Sequence, residues 1–323
     1  MEWSDLSQLL TVVVPVYNEA EVLEEFHRRL STVMGESDMP YRVLYVDDGS
    51  DNHFLASLLR LRESDPKVSV LELSRNFGKE VALSAGLDHA DGDAVIVIDA
   101  DLQDPPEVIP LFIEQWKQGY DVVYGLRDER LGDSALKRLT ASAFYRVMSA
   151  LSDVEIPQNV GDFRLLSRRA VDALNAQPER HRYMKGLYTW IGFPQQAVRY
   201  DREPRAAGES KWGYWRLWNF ALEGITSFSA APLKMATYLG LATSSASFLY
   251  GLFLLVRTLL FGNPVPGYPS LIIIVLFLGG VQLICLGIIG EYLARTYQES
   301  KGRSLYVLKA YHPATLRAVD DQE

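Results

Sequence analysis

The chain has 323 residues, 48% of them hydrophobic, and a formal net charge of −9. That length suits one α/β domain with a smaller appendage, and the acidic balance excludes bulk attraction to nucleic acid or anionic lipid. A single cysteine, Cys285, excludes an intrachain disulfide framework and fits a reducing compartment.

The chain opens on Met-Glu-Trp-Ser-Asp, with no basic region or long apolar stretch, so no signal peptide is expected. Residues 10–125 then alternate between two periods. Leu10–Val16 is a nearly continuous apolar run, as a buried parallel strand should be. Asn18–Met34 has helical periodicity. Tyr41–Val46 predicts a second strand, Phe54–Glu63 a helix, Val68–Leu73 a third strand and Lys79–Ala90 a helix. Ala94–Ile98 predicts a fourth strand, and Pro105-Pro106 opens a helix over Glu107–Gln118. Asp121–Tyr124 predicts a fifth strand. This alternation implies an open parallel sheet with helices on both faces, and in such sheets ligands bind beyond the carboxyl ends of the strands. The polar motifs fall there: Tyr17-Asn18-Glu19, Asp47-Asp48-Gly49-Ser50 and Asp99-Ala100-Asp101. No Gly-x-Gly-x-x-Gly follows the first strand, and there is no P-loop pattern, which argues against a dinucleotide enzyme and a P-loop NTPase.

Asp99 and Asp101 carry the clearest chemistry. Alternate residues of a strand end point the same way, so a bend can bring both carboxylates to one cation. A nucleoside diphosphate leaving group needs its charge neutralised, and Mg2+ or Mn2+ on hard oxygen ligands does that. Gln103, at the same spacing, is a candidate third ligand. An Asp-x-Asp alone can be a solvated turn; its position between Val95–Ile98 and Pro105-Pro106 gives it weight. Asp47, at the end of the second strand, can accept from a ribose hydroxyl or a base N–H, or serve only the turn that Gly49 and Ser50 would make.

Arg127, Lys137 and Arg138 form a basic group after the fifth strand. Arg205-Ala-Ala-Gly-Glu-Ser210-Lys211-Trp212 is a Gly-containing loop able to grip a phosphate. From Gly213 to Ala231, Tyr214, Trp215, Trp218, Leu222 and Ile225 recur at helical spacing. This predicts an amphipathic helix over 211–232 lying in the membrane interface. Met235–Val256 and Pro269–Gly290 are each 22 residues without a charge. At about 1.5 Å per residue each crosses the roughly 30 Å hydrocarbon core. Arg257–Tyr268, with Gly262, Pro264, Pro266 and Gly267, would close them into a hairpin. Lys211, Arg216 and Lys234 precede it and Arg295, Lys301, Arg303 and Lys309 follow, against Arg257 alone in the connection. That asymmetry puts both flanks on the cytoplasmic side. A juxtamembrane helix is expected over Glu291–Ser300, and Tyr297, Arg303 and Tyr306 read as interfacial anchors.

Pro15-Val-Tyr-Asn-Glu19, Val46-Asp-Asp-Gly-Ser50, Asn76-Phe-Gly-Lys79, Asp99-Ala-Asp-Leu-Gln-Asp-Pro-Pro106 and Gly161-Asp-Phe-Arg164 resemble the inverting GT-A glycosyltransferases of family 2. More narrowly they resemble the dolichyl-phosphate mannose synthase and polyprenyl-phosphate glycosyltransferase branch, over roughly residues 10–310. The resemblance implies a GT-A, Rossmann-like nucleotide-sugar-binding domain over 1–210, an interfacial helix over 211–232, a transmembrane hairpin over 233–293 and a cytoplasmic juxtamembrane helix and tail over 294–323. It implies that Pro15, Tyr17, Glu19, Asp47, Lys79 and Asp99 bind the nucleotide-sugar, and that Asp99, Asp101 and Gln103 hold Mg2+ or Mn2+. Asp162 falls where the family's catalytic aspartate lies, with Asp101 beside the reacting diphosphate. Arg127, Lys137, Arg138, Arg205, Ser210 and Lys211 would meet the acceptor phosphate. The expected reaction is transfer of one sugar, with glucose from UDP-glucose as first choice, to undecaprenyl or dolichyl phosphate. The expected setting is a bacterial inner membrane, as a homo-oligomer with a tetramer the candidate state. Competing readings are a processive polysaccharide synthase and a catalytically inactive membrane scaffold. Against the first, there is no Gln-x-x-Arg-Trp motif and only two spans.

Overall fold

The computed structural model describes residues 8–127, 160–177, 179–180, 182–201, 231–262 and 267–315. Lys137, Arg138, Arg205, Ser210, Lys211 and nearly all of the expected interfacial helix lie outside the described residues.

The strands are β1 (Leu10–Val16), β2 (Tyr41–Asp47), β3 (Val68–Leu73), β4 (Ala94–Val97), β5 (Val122–Arg127), β6 (Val160–Ser167), β7 (Gln195–Tyr200) and β8 (Leu308–His312). The helices are α1 (Ala20–Gly35), α2 (Asn52–Ser64), α3 (Lys79–His89), α4 (Ile109–Lys117), α5 (Arg168–Asn175), α6 (Met184–Trp190), α7 (Ala231–Phe261) and α8 (Tyr268–Ser300). The sheet order is β7-β5-β6-β4-β1-β2-β3-β8. The centre, β4-β1-β2-β3, is parallel as the strand–helix alternation predicts. Every residue of β1 and β3 is buried, because helices cover both faces.

α1, α2 and α4 pack on one face through Phe26, Leu30, Phe54, Leu58, Ile109 and Phe112. α3, α5 and α6 pack on the other through Ala82, Leu83, Val171, Leu174, Met184 and Leu187. Gly86 lets α3 approach β1 closely, since a Cβ there would stand 2.3 Å from Val13 Cγ1.

Two strands correct the expectation of a purely parallel sheet. β6 runs antiparallel between β4 and β5, so the fifth strand does not sit beside the fourth. β8 runs antiparallel on the far edge against β3. Both come from segments whose local pattern reads as motif or tail, and their direction is decided by what they pair with.

The hairpin has two helices long and apolar enough to cross a membrane, Pro232–Phe261 and Ser270–Ser300. Their large side chains face outward, Phe248 71% and Ile273 66% exposed. That distribution suits a lipid surround. Cys285 donates its thiol to the Ala236 carbonyl across the pair, at 3.7 Å. The expected separate helix over Glu291–Ser300 does not exist as such, because α8 runs unbroken to Ser300. Beyond it the chain returns to the α/β domain. Arg180 N–H donates to Glu299 Oε1 at 2.9 Å. Lys309 pairs with Glu72, and the Arg62 guanidinium donates to the Pro313 carbonyl at 2.7 Å. Tyr306 is therefore no membrane anchor: its phenol donates to Asp88 Oδ2 at 3.2 Å, and its ring packs against the α3 core.

Candidate active site

The loops after β1, β2 and β4 meet at one end of the sheet. Asn18, at φ 53°, turns the chain from β1 into α1. Its N–H donates to Ser50 Oγ and its Oδ1 accepts from Asp51 N–H, both at 3.0 Å, so the first two loops are tied together. Pro15 is buried at the end of β1, Tyr17 is 47% exposed beyond it, and Glu19 is half-buried at the start of α1. Gly49, at φ 71°, would place a Cβ 2.3 Å from the Arg75 backbone, so only glycine lets this loop pass the next one.

The two adjacent acids of β2 separate in role. Asp48 accepts from the backbone N–H of Phe77 at 2.7 Å and of Gly78 at 2.9 Å, and so shapes the loop that presents Lys79. Asp47 accepts from Ser50 N–H at 3.2 Å through Oδ1, while its buried Oδ2 has no partner. Burial pushes its carboxyl pKa up. A buried acceptor without a donor is expensive, so Asp47 is ready for a ligand hydroxyl or N–H.

The antiparallel direction of β6 assembles the centre. Val97 of β4 pairs with Arg164 of β6. Asp162, two residues before Arg164 on β6, is thereby brought to the same lysine as Asp99. Lys79, at the start of α3, bridges them: its Nζ lies 2.6 Å from Asp99 Oδ2 and 2.6 Å from Asp162 Oδ2. Burial opposes the charge on Lys79, but the two carboxylates outweigh it and hold the ammonium well above its ordinary pKa. Burial also opposes the Asp162 carboxylate; Lys79, Lys185 and Arg164 outweigh it and hold Asp162 below the usual carboxylate range. Asp162 is thus ionised at neutral pH, and its buried Oδ1 has no partner.

Asp101 follows Asp99 on the same turn, and Leu102 takes a left-handed φ of 60°. Gln103 N–H donates to Asp101 Oδ1 at 3.1 Å, a backbone bond that helps fix that carboxylate. Among the described residues no group of three or more His, Cys, Asp or Glu converges as a ready-made metal cage.

Arg127 is bound from within. Its Nη2 donates to Asp104 Oδ1 and Oδ2 at 3.1 and 3.0 Å, its Nε donates to Tyr200 Oη at 3.1 Å, and the Tyr200 hydroxyl donates to Asp104. Gly161 leaves room for this guanidinium, which would stand 2.3 Å from a Cβ there.

Four further charged residues belong to the centre: Asp104 and Arg164 lie inside the quoted motifs without an expected role, and Glu80 and Lys185 lie outside them. Asp104 anchors Arg127. Arg164 is buried, stacked 3.5 Å from the Tyr188 ring centroid, and donates to the Gly161 carbonyl at 2.8 Å. Glu80 accepts from Met184 N–H at 3.1 Å. Lys185 stands in the field of Asp162, Lys79, Glu80 and Arg127. The visible hint is the α6 pattern, in which Lys185 interrupts the apolar positions Met184, Leu187 and Tyr188.

Comparison with known proteins places this geometry. The model "Glycosyl transferase family 2" matches residues 11–174, and "GtrB C-terminal hairpin" matches 231–296. An SfII prophage-derived bactoprenol glucosyl transferase of Shigella flexneri is 49% identical over 303 residues, 94% of this chain and 98% of that protein. A prophage bactoprenol glucosyl transferase homolog of Escherichia coli (strain K12) is 47% identical over 300 residues, 93% of this chain and 98% of that protein. A bactoprenol glucosyl transferase of Shigella phage SfV is 50% identical over 300 residues, with the same coverage of both chains. With the family's matched region spanning β1 through α5 and near-complete relatives at about half identity, the chain belongs to glycosyltransferase family 2 and is a GT-A glycosyltransferase carrying a GtrB-type C-terminal hairpin.

Proposed function

We propose that the chain transfers a single glucose from UDP-glucose to a polyprenyl phosphate, undecaprenyl phosphate in a bacterium, with inversion at the anomeric carbon. The observation that carries this reading is the bridged pair Asp99–Lys79–Asp162 at the strand tips of a chain that also bears an apolar hairpin. The relatives named bactoprenol glucosyl transferases support the sugar and the lipid.

An oxygen of the lipid phosphate attacks the sugar's anomeric carbon, and the bond to the UDP oxygen breaks with its electron pair leaving on UDP. The nucleophile is already ionised at neutral pH, so no base need take a proton. Asp162, held ionised by the cations around it, orients the acceptor and faces the positive charge that develops at the anomeric carbon. Lys79 keeps that carboxylate in place. Asp47 Oδ2 accepts from the base or ribose, with Pro15, Tyr17 and Glu19 along the nucleotide pocket.

The Asp99 and Asp101 oxygens are hard donors. Asp99 Oδ2 faces a cationic group, and with Asp101 it would hold a hard divalent ion beside the diphosphate. Gln103 is the proposed third protein ligand. When bound, Mg2+ or Mn2+ neutralises charge on the departing diphosphate. Arg127, with Lys137, Arg138, Arg205, Ser210 and Lys211, is assigned to the acceptor phosphate. The catalytic domain and both flanks of the hairpin are assigned to the cytoplasmic side of the bacterial inner membrane, in keeping with the basic flanks.

Incubation of membranes containing the protein with labelled nucleotide-sugars and undecaprenyl phosphate tests this. A lipid-linked monosaccharide formed from UDP-glucose is the expected product. Polymer would identify a processive synthase, and no product with any donor would identify a scaffold.

A further inference from the structure

α6 carries a charged residue between buried ones. Met184, Leu187 and Tyr188 of this helix are fully buried in the core cluster on its face of the sheet, with the Tyr188 ring stacked on Arg164 of β6. The helix is also tied to α3, because Met184 N–H donates to Glu80 Oε2 at 3.1 Å. Lys185, next to Met184 in the chain and half-buried, is thereby held near the Glu80 end of α3, where the charges of Asp162, Lys79, Glu80 and Arg127 act on it.

The neighbouring carboxylates are engaged by other groups through at least one oxygen each, while Asp162 Oδ1 has no partner. Asp162 Oδ2 takes Lys79, Glu80 Oε2 takes the Met184 N–H, and Asp104 takes Arg127. Among the described residues Lys185 makes no hydrogen bond and no ion pair. An ammonium drawn out of water, beside two other cations and without a direct partner, is held against its own solvation. A group kept in such a place is suited to an anion that arrives with the substrates.

Sheet order separates the two phosphate sources. The loops of β1 and β2, where the nucleotide is placed, lie on one side of β4, whereas β6 and β5 lie on the other, and α6 reaches that other side through Tyr188, whose ring stacks on Arg164 of β6. We propose that Lys185 is a phosphate-binding residue of the acceptor half of the site, its ammonium receiving an oxygen of the lipid phosphate as the head group approaches Asp162. This rests on the reading of the chain as a polyprenyl-phosphate glucosyltransferase. It adds a residue from a segment to which neither the sequence motifs nor the relatives' names assign a role.

The test uses the full-length protein in detergent or nanodiscs, with K185A and K185R. Calorimetry measures UDP binding in the presence of a divalent cation and, separately, binding of a short-chain prenyl phosphate; turnover gives KM for each substrate. K185A is expected to weaken prenyl phosphate binding and raise the lipid KM by about tenfold, with UDP affinity within about twofold of wild type. K185R is expected to recover most of the loss. Unchanged prenyl phosphate binding in K185A overturns the proposal. So does a loss confined to UDP or UDP-glucose, which would assign Lys185 to the donor diphosphate. A uniform loss with a lowered Tm that K185R fails to rescue would make it a structural counter-charge to Asp162, and would also overturn the proposal. If the wild type transfers no glucose, the functional reading fails, while the prenyl phosphate titration still decides whether Lys185 binds phosphate.

Discussion

The two halves of the sheet on either side of β4 are built on different principles. On the β1–β2 side each ligand-facing residue lies at the end of its own parallel strand, in a short contiguous motif, and the loops are cross-linked locally by Asn18, Ser50 and Asp51. On the β6–β5–β7 side no single motif makes the site. Asp162 meets Lys79 across 83 positions of sequence, Glu80 meets Met184 across 104, and Arg127 meets Asp104 and Tyr200 across 23 and 73. The β1–β2 side is thus a repeated local solution. The β6–β5–β7 side is a single tertiary assembly of charges that balance one another.

The largest expected effect breaks that assembly at its centre. Asp162→Asn keeps the shape but removes the charge that Lys79, Lys185 and Arg164 hold in place. Turnover should fall by about 100-fold or more while UDP binding by calorimetry is retained. Near-wild-type turnover with intact UDP binding would remove Asp162 from the chemistry.

Truncation after Lys301 sharpens the comparison from the far edge. It removes β8, with the Tyr306–Asp88 and Lys309–Glu72 contacts, and exposes the β3 edge. A loss of about 1–3 kcal/mol is expected, read as a lower Tm in detergent. A tail that merely followed the membrane helix would leave Tm unchanged.

Glu80 gives a pH test of the charge assembly around Asp162. Burial, reinforced by the charge of Asp162, pushes its carboxyl from 4.5 up to about 7. The folded protein then holds a proton that the unfolded chain has released, so this group's stabilisation is fully present below about pH 4.5 and is lost as pH rises through about 7. Glu80→Gln should flatten the fall of Tm between about pH 5 and pH 8 by a few degrees. An identical slope in the variant would contradict the assignment.

The smallest effect is expected from Tyr200→Phe. It leaves Asp104 and Arg127 paired but removes the phenol that joins both, at a cost of about 1 kcal/mol. The lipid KM should rise several-fold with the UDP-glucose KM unchanged. An equal rise in both would show that Arg127 serves the two halves alike.

The same contrast accounts for what could be read beforehand. Asp47, Asp99 and Asp101 were legible because a strand followed by an acid turn is a local pattern whose geometry hardly depends on the remainder of the chain. Asp162 was legible only through family resemblance, since nothing in Val160–Leu166 says that this strand runs antiparallel beside β4. Arg127 reads as a free basic residue in sequence, whereas the fold engages it with Asp104 and Tyr200. Lys185 and Glu80 read as ordinary helix charges, and became part of the site only when α6 docked on α3.

By itself the sequence determined the strand–helix rhythm, the acids at the strand tips and the two apolar runs. Each depends on a period or composition within a short window, which burial and backbone geometry act on directly. Tertiary structure alone decided the direction of β6, the return of Leu308–His312 to the sheet after the hairpin, and the bridging of Asp99 and Asp162 by Lys79. Pairing direction and charge balance depend on which partners lie across space, and no window of the chain contains both sides of such a contact.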